Sequence, residues 1–136
     1  PHIVKSIGTA GNIDKRFTTK HMISIDSVNF EEIIKGLDAA VNGGAGKTAG
    51  IAALNDIIVC GKTGTAQNPH GKDHSVFIAF APKDDPKIAI MGVVENAGFG
   101  ATYAAPVASL MIEKYLKGVV SNEYREQSIL NLNLMQ

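Results

Sequence analysis

The sequence predicts an α+β fold, a small sheet with flanking helices. Two observations lead there. Apolar residues recur at helical spacing over about 30–41 and again over about 102–117, and between these stretches lie strand-like runs at 57–65, 75–81 and 87–95. The last two runs are joined by Pro82-Lys83-Asp84-Asp85-Pro86, whose prolines and aspartates favour a tight reversal. Both are nearly continuously apolar rather than alternating, as in a sheet covered on two faces. Two helices cannot cover two faces of much sheet, so packing partners are expected beyond these elements.

The first helix is the clearest element. Phe30, Ile33, Ile34, Leu37, Ala40 and Val41 form its apolar stripe and leave Glu31, Glu32, Lys35 and Asp38 for the opposite face. Asn29 is the expected N-cap with Glu32 as its reciprocal partner, and Val28 and Ile33 are placed as a hydrophobic staple. Asn42-Gly43-Gly44 ends the helix, glycine being suited to the left-handed conformation of a C-terminus. The second helix carries Tyr103, Val107, Leu110, Met111 and Leu116, with Pro106 in or near its first turn and Gly118 as its stop. Residues 1–29 read as an irregular N-terminal segment; two short strands around Ile3–Ile7 and Met22–Ile25, or plain irregular chain, both fit. In the tail, 119–136, Ile129, Leu130, Leu132 and Leu134 suit a short docking segment.

Composition narrows the function. The chain has 136 residues, 45% of them hydrophobic, with 13 basic and 13 acidic residues and no net charge. That is one core's worth of chain and not a disordered composition. Balanced charge without a basic cluster argues against nucleic-acid or anionic-membrane binding. No apolar run is long enough to span a bilayer. A single cysteine, Cys60, excludes an internal disulfide framework and any multi-cysteine zinc site; in an apolar run with no adjacent base it reads as a small buried hydrophobe. A start at Pro1 rather than Met reads as a processed product or a piece of a longer chain.

Two motifs mislead. Gly43-Gly44-Ala45-Gly46-Lys47-Thr48 imitates a phosphate-binding loop, but the pattern requires glycine where Val41 stands, and that loop follows a strand whereas this one follows a helix. It is a glycine-rich helix exit. His70, Asp73 and His74 lack a fourth ligand, so they are read as a hydrogen-bonded loop rather than a metal site. No metal and no cofactor are expected.

The strongest chemical signal is Lys62-Thr63-Gly64-Thr65. A fixed cation, two hydroxyl donors and a glycine that admits close backbone approach suit a carboxylate lying against a strand edge. Lys-Thr-Gly is also one of three elements of penicillin-binding proteins and related β-lactamases, beside Ser-x-x-Lys and a Ser-x-Asn type element.

The run Gly61-Lys62-Thr63-Gly64-Thr65-Ala66-Gln67-Asn68-Pro69-His70-Gly71-Lys72-Asp73-His74-Ser75 resembles the class B penicillin-binding proteins, nearest their elongation-type branch, the penicillin-binding proteins 2. Phe77 to Pro82 is similar to the family's next strand. Val93-Val94-Glu95-Asn96, with Ala104-Ala105-Pro106, is similar to its last strand and the start of its C-terminal helix. Gly36 to Val41 and Thr48-Ala49 are similar to the helix and loop before the Lys-Thr-Gly strand. The likeness runs from Phe30 to about Leu116. It implies a partial penicillin-binding (β-lactamase-like) fold with an antiparallel three-stranded sheet, residues 30–118 being the C-terminal portion of a transpeptidase domain.

By that resemblance, Lys62 polarises the site and attracts the substrate carboxylate, Thr63 and Thr65 bind it, and the Thr65 backbone N–H is one of two oxyanion donors. Such a donor is worth about 3 kcal/mol of barrier. The implied partners are peptidoglycan stem peptides and β-lactams, and the implied setting is the bacterial inner membrane, with an extracytoplasmic catalytic domain. Yet no Ser-x-x-Lys occurs in these residues, so nucleophile and base are missing. Ser27-Val28-Asn29 imitates the Ser-x-Asn element but stands too close before Lys62. The 136 residues alone are therefore expected to be inactive. They are also expected to self-associate through an unpaired edge at 87–95 and exposed apolar surface. A non-catalytic recognition or scaffold module, and a fragment of a serine β-lactamase, stay open as alternatives.

Overall fold

The structure is a computed structural model that describes residues 6, 8, 9, 11, 13–19, 21–45 and 47–132. After a single 3-10 turn at Lys15–Phe17, the elements are α1 (Ser27–Asn42), β1 (Cys60–Ala66), β2 (His74–Ala81), β3 (Ile88–Val94), α2 (Ala104–Lys117) and α3 (Glu123–Leu130). Among the described residues no strand precedes Cys60, so Met22–Ile25 is irregular chain; Ile3, Val4 and Ile7 lie outside the described residues. The strands form one antiparallel sheet in the order β1-β2-β3, with β2 central.

Helix α1 departs from expectation at both ends. It starts at Ser27, and its N-cap is Asp26, whose Oδ1 accepts the Val28 N–H at 3.2 Å. Asn29 lies inside the first turn, so neither it nor Glu32 caps, and Val28 and Ile33 are both exposed. At the far end Gly43 is extended (φ −61°, ψ 161°) rather than left-handed. Glycine is needed there for room: a Cβ would lie 2.3 Å from the Ala39 carbonyl oxygen. Asp38 is not a solvent-face residue either. It pairs with Lys83 at 2.6 Å and with the Asn42 side chain, which also donates to the Val59 carbonyl at 2.8 Å. These bonds tie the end of α1 to the start of β1 and to the β2–β3 turn.

The core lies between α2 and one face of the sheet. Phe77, Ala79 and Ala81 of β2 meet Ala104, Ala105, Ala108 and Ile112 of α2, and Val41, Ala49, Ala52 and Val59 close the side. Three alanines on α2 let the helix approach closely. Gly92 of β3 continues that fit, since a Cβ there would stand 3.3 Å from the Ala104 carbonyl oxygen. The first turn of α2 is fully satisfied. Ala104 N donates to Ser75 Oγ, Ala105 N to Gly100 O and Val107 N to Tyr103 O, while Pro106 has no N–H to place. Gly118 stops the helix in the left-handed region at φ 77°.

The other sheet face is largely bare among the described residues. Ile78 is 48% exposed, Met91 65% and Val93 52%, and Leu37 of α1 lines a shallow groove with Cys60, Ile78, Phe80 and Met91 on this side. The apolar strand composition therefore exceeds what these helices cover.

The tail docks by charge more than by its leucines. Arg125 of α3 donates to Ser109 Oγ and to Ala53 O, and Glu113, 2% exposed, accepts from Ser121 and Lys117. Burial pushes the Glu113 carboxyl up, but the Ser121 and Lys117 contacts outweigh it and hold the group below its ordinary value. Leu130 is exposed, and Leu134 lies outside the described residues.

Candidate functional site

Strand β1 is an edge strand, so one side of Lys62-Thr63-Gly64-Thr65 has no strand partner among the described residues. Pairing fixes the faces. Lys62 stands opposite Ile78 and Gly64 opposite Val76, whereas Thr63 is opposite Phe77 and Thr65 opposite Ser75 on the α2 side. The two hydroxyls thus share one face and the lysine lies on the other. Lys62 and Thr65 are exposed, Thr63 and Gly64 half-buried. Lys62 Nζ turns back to donate to the Thr63 carbonyl at 2.8 Å.

The glycines of this strand answer to different neighbours. Gly61 lies under the Phe77 ring, where a Cβ would meet ring carbon Cζ at 2.5 Å. A Cβ on Gly64 would meet only Val76, at an ordinary 3.5 Å. Nothing in the described chain requires glycine at 64.

Behind the strand runs the connection from β3 to α2. Gly100 packs there so tightly that a Cβ would lie 2.2 Å from the Val76 carbonyl oxygen and 2.7 Å from that of Gly64. Ser75, buried, donates to the Phe99 carbonyl at 2.9 Å and accepts the Ala104 N–H at 3.1 Å. Sequence reasoning missed Gly100 and Ser75 as supports, because their partners are distant in the chain and nothing local marks them.

The 43–48 segment leaves α1 and leads through a 3-10 turn at Gly50–Ala52 toward β1. His70, Asp73 and His74 belong to a hydrogen-bonded loop: Asp73 Oδ1 accepts Asn68 N–H and His74 Nδ1 accepts Asn96 N–H. Among the described residues no three His, Cys, Asp or Glu side chains gather as a metal set. Ser27-Val28-Asn29 is the first turn of α1. Cys60 is buried, and burial raises its thiol above the usual range, which keeps it protonated and unreactive.

A sheet of this order, backed by α2 and carrying Lys-Thr-Gly on its open edge, defines a class. The family description "Penicillin binding protein transpeptidase domain" matches residues 1–113, and the chain belongs to that family. Its likeness runs to class B transpeptidases of the penicillin-binding protein 2 type. It is 34% identical over 102 residues to the peptidoglycan D,D-transpeptidase MrdA of Haemophilus influenzae, covering 64% of this chain and 16% of that protein. Over 87 residues it is 39% identical to stage V sporulation protein D of Bacillus subtilis, covering 57% of this chain and 13% of the relative. Among solved structures, Pseudomonas aeruginosa PBP2 in complex with WCK 5153 superposes with a TM-score of 0.61 at 31% identity, over 76% of this chain and 23% of that one. The imipenem acyl-enzyme of penicillin-binding protein A from M. tuberculosis gives 0.57 at 29% identity, over 68% and 20%. The chain spans about a sixth of the length of the curated relatives it matches. No described helix is long and apolar enough to cross a membrane.

Proposed function

We propose that the chain is the C-terminal part of the transpeptidase domain of an elongation-type peptidoglycan D,D-transpeptidase, with residues 30–118 its catalytic-domain portion and 119–136 its tail. Lys62 draws the substrate carboxylate to the β1 edge, Thr63 and Thr65 bind it, and the Thr65 N–H faces the oxyanion that forms when the parent's serine attacks. The observation that carries this reading is the open edge of β1, where Gly64 has room for a side chain. A glycine that its own chain does not require suits a place where something approaches from outside, as a substrate backbone would. The acyl-enzyme of the relative from M. tuberculosis supports β-lactams as ligands of the same chemistry. Peptidoglycan stem peptides are the natural substrate class in this reading, at the outer side of the bacterial inner membrane, where the parent is anchored.

Nucleophile and base are absent from these 136 residues, since none of their serines begins a Ser-x-x-Lys. A fluorescent penicillin followed by denaturing electrophoresis tests the assignment. The full-length protein should carry a covalent label and the 136-residue chain none. An unlabelled full-length protein points instead to a non-catalytic recognition module, and a labelled 136-residue chain overturns the missing-nucleophile argument.

Self-association of the 136-residue chain belongs to the same proposal. It is supported by the outer edge of β3, which has no strand partner among the described residues, and by the exposed Ile78, Met91 and Val93.

A further inference from the structure

We propose that His74 is a positioning residue. With Asn68, Asp73 and Asn96 it latches the β1–β2 loop (67–73) to the β3–α2 connection (95–103), making one preset rim at the end of the Lys62–Thr65 strand. The inference rests on the transpeptidase reading for its catalytic consequence.

Three hydrogen bonds join the loop and the first residue of β2 to the β3–α2 connection. Asn96 N–H donates to His74 Nδ1 at 3.0 Å, Asn68 Nδ2 donates to Asn96 Oδ1 at 2.7 Å, and Gly98 N–H donates to the Asp73 carbonyl at 2.7 Å. Within the loop, Asn68 N–H donates to Asp73 Oδ1 at 3.1 Å and His70 N–H to Asn68 Oδ1 at 3.0 Å. The backbone donor of Asn96 is aimed at the lone pair of Nδ1, so the imidazole serves the latch as an acceptor. Asn96 stands at φ 55°, a left-handed conformation that asparagine tolerates better than most residues. The latch closes over Gly71, where a Cβ would lie 3.0 Å from Asn96 Oδ1 and 3.2 Å from Asn68 Nδ2.

Its place in the sheet gives it a role in the site. His74 pairs with Ala66 and Ser75 with Thr65, so consecutive β2 residues grip the same connection, one through imidazole and one through hydroxyl. That connection carries Gly100, which touches the backbone of Gly64. A shift of the connection moves the Gly64–Thr65 backbone and with it the N–H assigned to the oxyanion.

The test compares wild type, His74→Ala, His74→Asn and Asn96→Ala in the full-length protein, since the asparagine Oδ1 can stand where Nδ1 accepts. The acylation rate with fluorescent penicillin should fall about ten- to a hundredfold in His74→Ala and Asn96→Ala, and stay within about threefold of wild type in His74→Asn, at similar melting temperatures. Amide exchange at Asn96 and Gly98 should quicken in His74→Ala and not in His74→Asn. Wild-type acylation by His74→Ala, or an asparagine no better than alanine, overturns the proposal. If the wild-type protein takes no label, the transpeptidase reading fails on its own. Exchange then decides the latch: unaltered protection in His74→Ala overturns it, and lost protection restored by asparagine upholds it.

Discussion

Asp38 illustrates how a side chain's surroundings outrank its place in a pattern. Helical periodicity puts it on the polar face of α1, yet it is the anchor between α1 and the β2–β3 turn. The Lys83 ammonium foremost, and then the Asn42 amide, hold its carboxyl below the ordinary 3.8, while Asp38 in turn raises Lys83 above 10.5. The depressed carboxyl contributes stability that is full above its ordinary value and drains as pH falls through the lower folded one; the Lys83 contribution is lost only above the lysine range. Asp38→Asn should therefore cost about 1–2 kcal/mol at pH 7, and much less once the wild-type carboxyl is protonated. Denaturant titrations in steps from pH 7 down to well below 3.8 measure the difference, and a loss that does not shrink toward the acid end contradicts the ion-pair account. Asp26 and Asn29 teach the same lesson. Both are good caps by type, and the sequence pattern favoured Asn29 for its partner Glu32, but the chain begins its helix three residues earlier.

At the scale of elements, α2 shows what holds the site's backing in place. Tyr103, at its N-cap position, makes no side-chain cap, and the open donor of Ala104 is taken by Ser75 from the middle strand. Ser75→Ala leaves that donor and the Phe99 carbonyl without their partner in a buried place, at a cost of about 1–3 kcal/mol. The expected signature is local: faster amide exchange at Ala104 and Ala105, with the centre of β2 still protected. Uniform loss of protection, or none, would contradict a remote cap. The locations of α1, α2 and all three strands were legible in periodicity and in the prolines and glycines between them. Gly118 as the stop of α2 was legible too, but the N-caps and the long-range supports were not. Ser75 with Ala104, and Gly100 with Gly64, are pairs separated by a whole strand or more, and no local pattern encodes them.

For the molecule as a whole, the balance of covered and bare apolar surface governs behaviour. One sheet face is sealed by α2, while Ile78, Met91 and Val93 line the other and β3 ends the sheet with an open edge. The 136-residue chain should show a sedimentation coefficient that rises with concentration, and Met91→Lys on the bare face should weaken that rise. A single monomer species over a wide concentration range would contradict it. The sequence by itself determined the kinds of element, the rejection of the phosphate-loop look-alike and the family, because these rest on short-range periodicity, turn chemistry and a contiguous motif. Only the tertiary structure decided that β1 lies at an edge with no strand partner among the described residues, that the two threonines take its α2 face and Lys62 the other, and that the histidine loop is tied to Asn96. Those are facts of strand order, register and long-range hydrogen bonding, and they arise only when residues far apart in the chain are brought together.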